Sequence, residues 1–179
     1  ELEKLLEAGF IYPVNNSEWV SPMVIVPKKV GRDGKVKIRV CQDFRKLNAA
    51  TKKDYFPLPF IDMVLDHVAG QECFSFLDGF SGYNQVSIRA TDQLKTTFTT
   101  EWGTYAFSRM PFGLCNAPGT FQRLMMDIFK DFLRHFLEVF IDDFAVFSAI
   151  QDHLKYLRKT FQRCRETNLK LHPGKCFLG

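Results

Sequence analysis

The sequence predicts an α+β fold in which helices back an antiparallel sheet, and the order of elements after residue 73 is the main observation. Apolar runs typical of strands alternate there with two amphipathic stretches typical of helices, and one insertion follows the first strand. The order is strand, helix, strand, strand, helix, strand, which is the split β-α-β-β-α-β arrangement. Apolar residues make up 46% of the chain, with 19 phenylalanines, which favours a globular protein over a disordered one.

The first third of the chain predicts a helix, a hairpin and a second helix. Residues 1–9 place leucines on one helical face and end at a glycine. Residues 23–28 and 36–40 flank a Gly-Arg-Asp-Gly turn and are expected to pair. The two prolines of residues 57–59 require an extended segment, after which residues 61–68 have helical periodicity and are followed by a glycine.

The remaining elements complete the split arrangement and add one hairpin in the insertion. They are strands at 73–77, 97–99 and 104–108, a helix at 118–133, a hairpin over 137–147, a helix at 151–167 and a last strand at 169–171. In the second of these helices, Leu154, Leu157 and Phe161 are expected to face inward.

Two adjacent aspartates, Asp142 and Asp143, stand between two apolar runs, which indicates a hairpin with the acid pair at its turn. A third, Asp78, closes the first strand of the split arrangement. In that arrangement the end of the first strand and the turn of the central hairpin can lie side by side, so we expect the three carboxylates to meet. Carboxylates in contact repel one another, and a hard divalent cation such as Mg²⁺ is their natural complement. A solvated acidic turn is the alternative for an isolated pair.

The charge is unevenly placed along the chain. The net charge is only +4, but residues 28–53 carry ten basic and two acidic side chains, and residues 153–175 carry seven and one. The acidic middle contains all three aspartates. Basic flanks around an acidic centre are typical of a protein that holds a nucleic-acid backbone, and we expect Lys52, Lys53, Lys155 and Lys159 to take part; a solvated charged face is the alternative.

Cysteine usage and hydropathy restrict the protein class. The five cysteines are odd in number, scattered and never in a CxxC pair, which favours free thiols in a reducing intracellular compartment. Near the end of the chain, Cys164, His172 and Cys176 lack the usual zinc spacing. No apolar run approaches the roughly 20 residues that cross a bilayer, so no membrane association is expected.

Seven segments, in order, resemble the reverse transcriptases of gypsy-type LTR retrotransposons. They are residues 19–22, 43–48, 55–59, 76–83, 110–118, 121–122 and 140–143. The resemblance implies a right-hand polymerase that copies an RNA or DNA template into DNA from a primer. It implies fingers over about 1–53 and 86–115 and a palm over about 54–85 and 116–179. Thumb, RNase H, protease and integrase are expected outside this chain, in the same polyprotein.

The resemblance also assigns roles to individual residues. Asp78, Asp142 and Asp143 match the positions that hold two Mg²⁺ ions, for which Mn²⁺ can substitute. Tyr83 matches the steric gate that excludes a 2′-hydroxyl. The remaining residues implied for dNTP binding are Arg39, the amides of Ser81 and Gly82, Phe112, Gln122, and Lys29 with Lys28 or Arg32 as alternatives. Phe112 and Tyr83 could instead be core residues.

This sequence departs from the family pattern at Phe140, where the family usually has tyrosine. Because the ring is kept and the hydroxyl is lost, we expect primer contact to change more than chemistry. Two other functions remain open: a decayed or co-opted copy that binds nucleic acid without polymerising, and a two-metal hydrolase. Against the hydrolase hypothesis, the sequence shows no evident water-activating base near the acids, and the hypothesis leaves Tyr83 unexplained. The oligomeric state is left open.

Overall fold

The computed structural model describes residues 2–27 and 38–179, which form two compact units. The first unit consists of residues 1–53 and 86–117, and the second of residues 54–85 and 118–179. The helices are α1 (Leu2–Glu7), α2 (Arg45–Ala50), α3 (Ile61–Val68), α4 (Ala90–Gln93), α5 (Ala117–Phe129) and α6 (Ile150–Glu166). The strands are β1 (Ile11–Pro13), β2 (Ser21–Pro27), β3 (Ile38–Gln42), β4 (Cys73–Asp78), β5 (Phe98–Thr100), β6 (Gly103–Phe107), β7 (Leu137–Phe140), β8 (Asp143–Ser148) and β9 (Phe177–Leu178).

The first unit contains a five-stranded sheet in the order β1-β6-β5-β2-β3. Its pairs are antiparallel except β2 with β5, where Ser21 lies opposite Phe98. A buried cluster of Ile11, Phe44, Leu47, Phe98 and Phe107 forms its core. The three leucines of α1 pack against this cluster, so the apolar face predicted for the first helix is confirmed.

The second unit contains a four-stranded antiparallel sheet in the order β7-β8-β4-β9. With α5 between β4 and β7 and α6 between β8 and β9, this is the split β-α-β-β-α-β order, and the fold prediction is confirmed. Phe129 of α5 meets Phe144 of β8 at 5.5 Å between ring centroids. On α6 the buried residues are His153, Leu157, Thr160 and Cys164, which recur at helical spacing and define its inner face.

The prediction that Leu154 faces inward is wrong, since that side chain is 74% exposed. The neighbouring His153 lies inside instead, where its ring contacts the hydroxyl of Ser75 on β4 (Nε2, 2.8 Å) and that of Ser148 on β8 (Nδ1, 2.9 Å). Because a buried polar ring needs such partners, these two contacts set the rotation of the helix about its axis.

Two predicted elements end differently in the structure. The helix predicted over 118–133 ends at Phe129, because the chain turns over the next residues and Arg134 has a φ of +62°. The predicted last strand at 169–171 forms only a single bridge, between Leu171 and Gly79. A 3₁₀ turn that begins at Pro173 returns the chain to the sheet edge, so β9 forms later and pairs with β4.

Several short elements were not predicted, among them α2 and β1. At six and three residues they are too short to show a periodicity. All five cysteines are free thiols, and burial raises the pKa of Cys164 to about 11. Within the described ranges, no helix has the length and apolar character needed to cross a membrane.

Candidate metal and nucleotide site

Three aspartates come together at one end of the second sheet. Asp78 is the last residue of β4 and Asp143 the first of β8, and the two are directly paired across the strands. Asp142 stands in the turn before β8, and its carbonyl accepts a hydrogen bond of 3.0 Å from the Gly79 amide. The strand order therefore brings together carboxylates that are 64 residues apart in the sequence, as expected from the predicted fold.

The turn that presents Asp142 is held by Gln122. Ile141 has a φ of +55°, a conformation that β-branched residues rarely adopt. Gln122 lies on α5, is 1% exposed, and accepts a hydrogen bond of 2.6 Å from the Ile141 amide through Oε1. Its Nε2 donates to the Val139 carbonyl at 3.2 Å. The two contacts hold the turn from both sides and offset its backbone strain.

The assignment of Gln122 to nucleotide binding stays a prediction, and the contacts of this side chain favour a supporting role behind the site. Its side chain is buried, and both ends of its amide are used by the hairpin. The motif correctly places Gln122 on the helix beside the site, but the direction of a helical side chain depends on how the helix packs.

The three carboxylates are crowded and partly shielded from water. Burial first, and then the charges of Asp143 and Asp78, raise the pKa of Asp142. Burial and the charge of Asp78 likewise raise the pKa of Asp143. Lys175 opposes both shifts, with its Nζ 3.2 Å from Asp78 Oδ2 and 3.4 Å from Oδ1. The Lys175 ammonium thus contacts Asp78 and offsets part of the negative charge at Asp142 and Asp143.

Sequence reasoning missed the local role of Lys175. In the sequence this lysine is one charge of the basic segment 153–175, and its partner Asp78 lies 97 residues earlier. No pattern in the sequence could have indicated the contact, because it depends on the return of the chain after Pro173.

The chemistry of these side chains fits a hard divalent cation. Asp142 Oδ1 is buried and has no hydrogen-bond partner among the described residues, and unpartnered buried carboxylate oxygens are costly. Mg²⁺ prefers carboxylate oxygens as protein ligands. Across residues 2–27 and 38–179, however, no three acidic, histidine or cysteine side chains are already gathered as a ligand set. Asp78 is engaged by Lys175 instead.

Gly82 provides the space that the Asp142 carboxylate occupies. A Cβ at this buried glycine would lie 2.2 Å from Asp142 Oδ1 and 2.9 Å from Cγ, far inside van der Waals contact. The preceding residue, Ser81, has a φ of +50°, so the chain turns sharply just after β4. The site requires a residue without a side chain at position 82 because the backbone approaches the carboxylate so closely.

Tyr83 lies beside the acid cluster. It is 9% exposed, and its ring meets Phe121 edge-on at 5.5 Å between centroids. Burial, and then the charge of Asp142, raise the pKa of its phenol. The tyrosine is therefore held in one orientation by packing.

The other predicted site residues are distributed over both units. Phe140 is half-buried at the end of β7 and pairs with Asp143, whereas Phe112 of the first unit is 57% exposed and is not a core residue. Lys155 and Lys159 lie on the outer face of α6, so they are not gathered around the aspartates.

The rest belong to the first unit or lie outside the described residues. Lys52 and Lys53 are exposed in the first unit. The backbone of Arg39 in β3 pairs with that of Val26, and the Arg39 side chain lies outside the described part. Lys28, Lys29 and Arg32 lie wholly outside the described residues.

Comparison with known proteins identifies the family to which this sequence is similar. A family model described as "Reverse transcriptase (RNA-dependent DNA polymerase)" matches residues 26–179. The Pol polyprotein of transposon 412 from Drosophila melanogaster is 39% identical over 178 residues, covering 98% of this chain and 14% of that protein. The Pol polyprotein of transposon gypsy from the same species is 35% identical, covering 98% and 17%. The chain thus spans less than a fifth of these two relatives.

A solved structure agrees with these relatives. The foamy viral protease-reverse transcriptase in complex with an RNA/DNA hybrid superposes with a TM-score of 0.87 at 25% identity, covering 99% of this chain and 23% of that one. The match extends over both units, and its fold is that of a polymerase with fingers and palm. The family model, the relatives and the fold all show that this chain belongs to the reverse transcriptase family. The Pol polyproteins of gypsy-type retrotransposons are among its relatives.

Proposed function

We propose that this chain is the catalytic part of an RNA-directed DNA polymerase that extends a primer on an RNA or DNA template. The observation that carries the proposal is the placement of Asp78, Asp142 and Asp143 at one end of the second sheet, with an unpartnered carboxylate oxygen on Asp142. In this proposal the first unit serves as fingers and the second as palm. The chain covers only 14% and 17% of two related Pol polyproteins. Their length supports a longer protein that also contains thumb, RNase H, protease and integrase.

The three aspartates would hold two Mg²⁺ ions, or Mn²⁺ in their place. When bound, the ions lower the pKa of the attacking 3′-hydroxyl and neutralise charge on the transferring phosphate. The chain's own contribution is to hold the carboxylates in position and to offset part of their mutual repulsion. Gln122 holds the turn, Gly82 leaves room for Asp142, and Lys175 balances part of the negative charge until a cation enters.

The incoming dNTP would lie against Tyr83. A ring fixed by Phe121 can reject a 2′-hydroxyl by direct clash, because packing prevents it from moving aside. The amides of Ser81 and Gly82 would donate hydrogen bonds to the phosphates. By the family resemblance, Arg39, Phe112 and Lys29 of the first unit would also bind the nucleotide, and a guanidinium fork such as that of Arg39 matches phosphate oxygens.

The template and primer would be held by positive charge. Lys52 and Lys53 in the first unit, and Lys155 and Lys159 on α6, are exposed and available to phosphates. Phe140, next to the acid pair, would contact the primer end. The foamy viral relative's complex with an RNA/DNA hybrid supports a nucleic-acid duplex as the partner.

Single-nucleotide extension with Mg²⁺ tests the proposal, in a longer chain that continues beyond Gly179 into the thumb. We expect Asp142→Asn to slow incorporation by orders of magnitude, each factor of ten being about 1.4 kcal/mol of barrier. Asp152→Asn, which removes a half-exposed carboxylate of α6, is the matched control and should extend normally. Near-parental rates for Asp142→Asn would contradict the assignment of Asp142 as a catalytic metal ligand. A parent that binds primed template without extending it would instead indicate a co-opted binding domain.

A further inference from the structure

The loop that follows β6 is attached to α2 by an asparagine side chain. Residues 111–116 of this loop are called here the Phe112 loop. Asn48 of α2 donates a hydrogen bond of 2.8 Å from Nδ2 to the Gly113 carbonyl, and its Oδ1 accepts one of 2.8 Å from the Cys115 amide. Both ends of this side-chain amide are therefore used by backbone groups that lie 65 and 67 residues later in the sequence.

A second asparagine makes the reverse contact. Asn116 belongs to the Phe112 loop, and its Nδ2 donates a hydrogen bond of 2.9 Å to the Lys52 carbonyl, just after the end of α2. Asn48 thus reaches from α2 to the loop, and Asn116 reaches from the loop to the segment after α2. The two side chains, called here the asparagine clamp, fix the loop with three hydrogen bonds, all within the first unit.

The clamp holds a glycine turn directly beside Phe112. Gly113 has a φ of +96°, a left-handed conformation that favours glycine. The bond from Asn48 fixes the Gly113 carbonyl, and the next residue, Leu114, packs against the buried core cluster of the first unit. Met110, two residues before Phe112, is buried. The chain is therefore held on both sides of Phe112.

Phe112 itself is directed to the outside of the first unit, where its side chain is 57% exposed. Exposure of a single apolar residue is ordinary, but here three hydrogen bonds restrict the loop that carries it. A large aromatic ring held exposed between fixed neighbours indicates contact with a ligand. Its flat apolar face suits the base or the sugar of a nucleotide.

We propose that Asn48 and Asn116 are positioning residues, which hold the Phe112 ring in place for the incoming nucleotide. This inference rests on the proposed function, in which Phe112 belongs to the nucleotide site. Neither asparagine touches the substrate. Their effect is on conformational entropy, because a ring that is already held loses less freedom when the nucleotide binds. Without the clamp we therefore expect weaker nucleotide binding, with the chemical step at the aspartates of the second unit little changed.

Single-turnover primer extension tests the proposal, in the longer chain that continues into the thumb. It separates the active fraction, the Kd of the dNTP and the rate of incorporation. Asn48→Ala removes two of the three hydrogen bonds, and we expect the Kd to rise at least about tenfold while the rate falls by less than about threefold. A purely structural role would lower the active fraction and leave the Kd unchanged. Asn116→Ala is a milder change that should shift the Kd in the same direction, and it serves if Asn48→Ala does not fold.

A double variant shows whether the clamp acts through Phe112. Phe112→Ala should raise the Kd of the dNTP, and Asn48→Ala added to it should raise the Kd no further, because residues that act as a unit are not additive. Thr51→Val is the matched control, since it removes a hydrogen bond of 2.8 Å to the Leu47 carbonyl at the end of α2 without touching the Phe112 loop. This control should leave the Kd unchanged.

The outcomes separate this inference from the proposed function. If Phe112→Ala raises the Kd but neither asparagine variant does, or if the effects of Asn48→Ala and Phe112→Ala add, the positioning role is overturned and the nucleotide site stands. If Phe112→Ala leaves the Kd unchanged, the assignment of Phe112 to nucleotide binding fails, and this inference fails with it. A parent chain that does not extend primers contradicts the proposed function itself.

Discussion

Gly82 lies so close to Asp142 that the backbone at position 82 limits the positions open to the Asp142 carboxylate. The ideal position of a Cβ at Gly82 lies 2.2 Å from Asp142 Oδ1, whereas real contacts of this kind are longer than 3.0 Å. The Asp142 side chain is short and its backbone is held by the Gly79 amide, so only rotation of the carboxylate could relieve such a clash. The position of a proposed metal ligand therefore depends on a residue with no side chain.

Gly82→Ala should displace the Asp142 carboxylate and sharply reduce primer extension while the fold is kept. Gly79→Ala is the matched control, because a Cβ there would make only ordinary contacts of 3.7 to 3.9 Å. Extension rates and thermal unfolding of both variants check the prediction. Equal extension by the two variants would mean that the close approach has no functional consequence.

Asp142→Asn should stabilise the protein at neutral pH in the absence of divalent cations. The pKa of Asp142 is raised in the folded state by burial and by its acidic neighbours, so the folded protein binds more protons than the unfolded chain between about 3.8 and the raised value. The parent therefore loses stability as pH rises through that window, and the asparagine variant does not. We expect a higher Tm for the variant at pH 7 in EDTA, by a few degrees, and little difference at the acidic end of the window. A lower Tm for the variant at pH 7 would contradict the electrostatic account.

Gln122→Leu should loosen the turn that presents Asp142 and Asp143. The substitution removes the partners of the Ile141 amide and the Val139 carbonyl, and leaving such groups unpaired costs about 1–3 kcal/mol each. We expect a lower free energy of unfolding and a fall in kcat greater than the change in KM. Gln162→Leu on the exposed side of α6 is the control.

His153 should make the second unit sensitive to acid. Burial lowers the pKa of this histidine below its ordinary value of 6.5, and two serine hydroxyls hold the neutral ring. Below about pH 6.5 the unfolded chain takes up a proton that the folded chain resists, so stability falls as the pH falls. Denaturant unfolding between pH 7.5 and pH 5 should show this loss in the parent, and His153→Gln should show a smaller one. Parallel pH profiles for both proteins would exclude His153 as the source.

Tyr83→Ala should relax the choice of sugar if the ring rejects a 2′-hydroxyl. We expect relative ribonucleotide incorporation to rise by more than about tenfold, equivalent to roughly 1.4 kcal/mol of discrimination, while Tyr83→Phe retains the parental ratio. Competition between dGTP and GTP on one primed template measures it. Because Tyr83 also packs on Phe121, the alanine variant should be less stable as well. An unchanged selectivity ratio would identify Tyr83 as a packing residue only.

The topology of the second unit and the meeting of its aspartates follow from local sequence patterns. Strand and helix periodicity are local properties, and the order of elements allows few ways to pair four strands, so Asp78 and Asp143 could be placed side by side in advance. The helix at 61–68 was likewise predicted at its observed bounds, because a proline-containing segment and a glycine delimit it. The family resemblance added the proposed roles of individual residues.

The details on which the proposed site depends follow instead from contacts between distant parts of the chain. Lys175 reaches Asp78, Gln122 turns inward to the hairpin, and Gly82 approaches Asp142, each across a long separation in sequence or through a packed helix. The outward position of Leu154 has the same origin, since His153 occupies the inner face. The physical reason is that helix rotation and close backbone approach follow from the packing of the whole unit, in which buried polar groups must find partners, and no local pattern records that outcome.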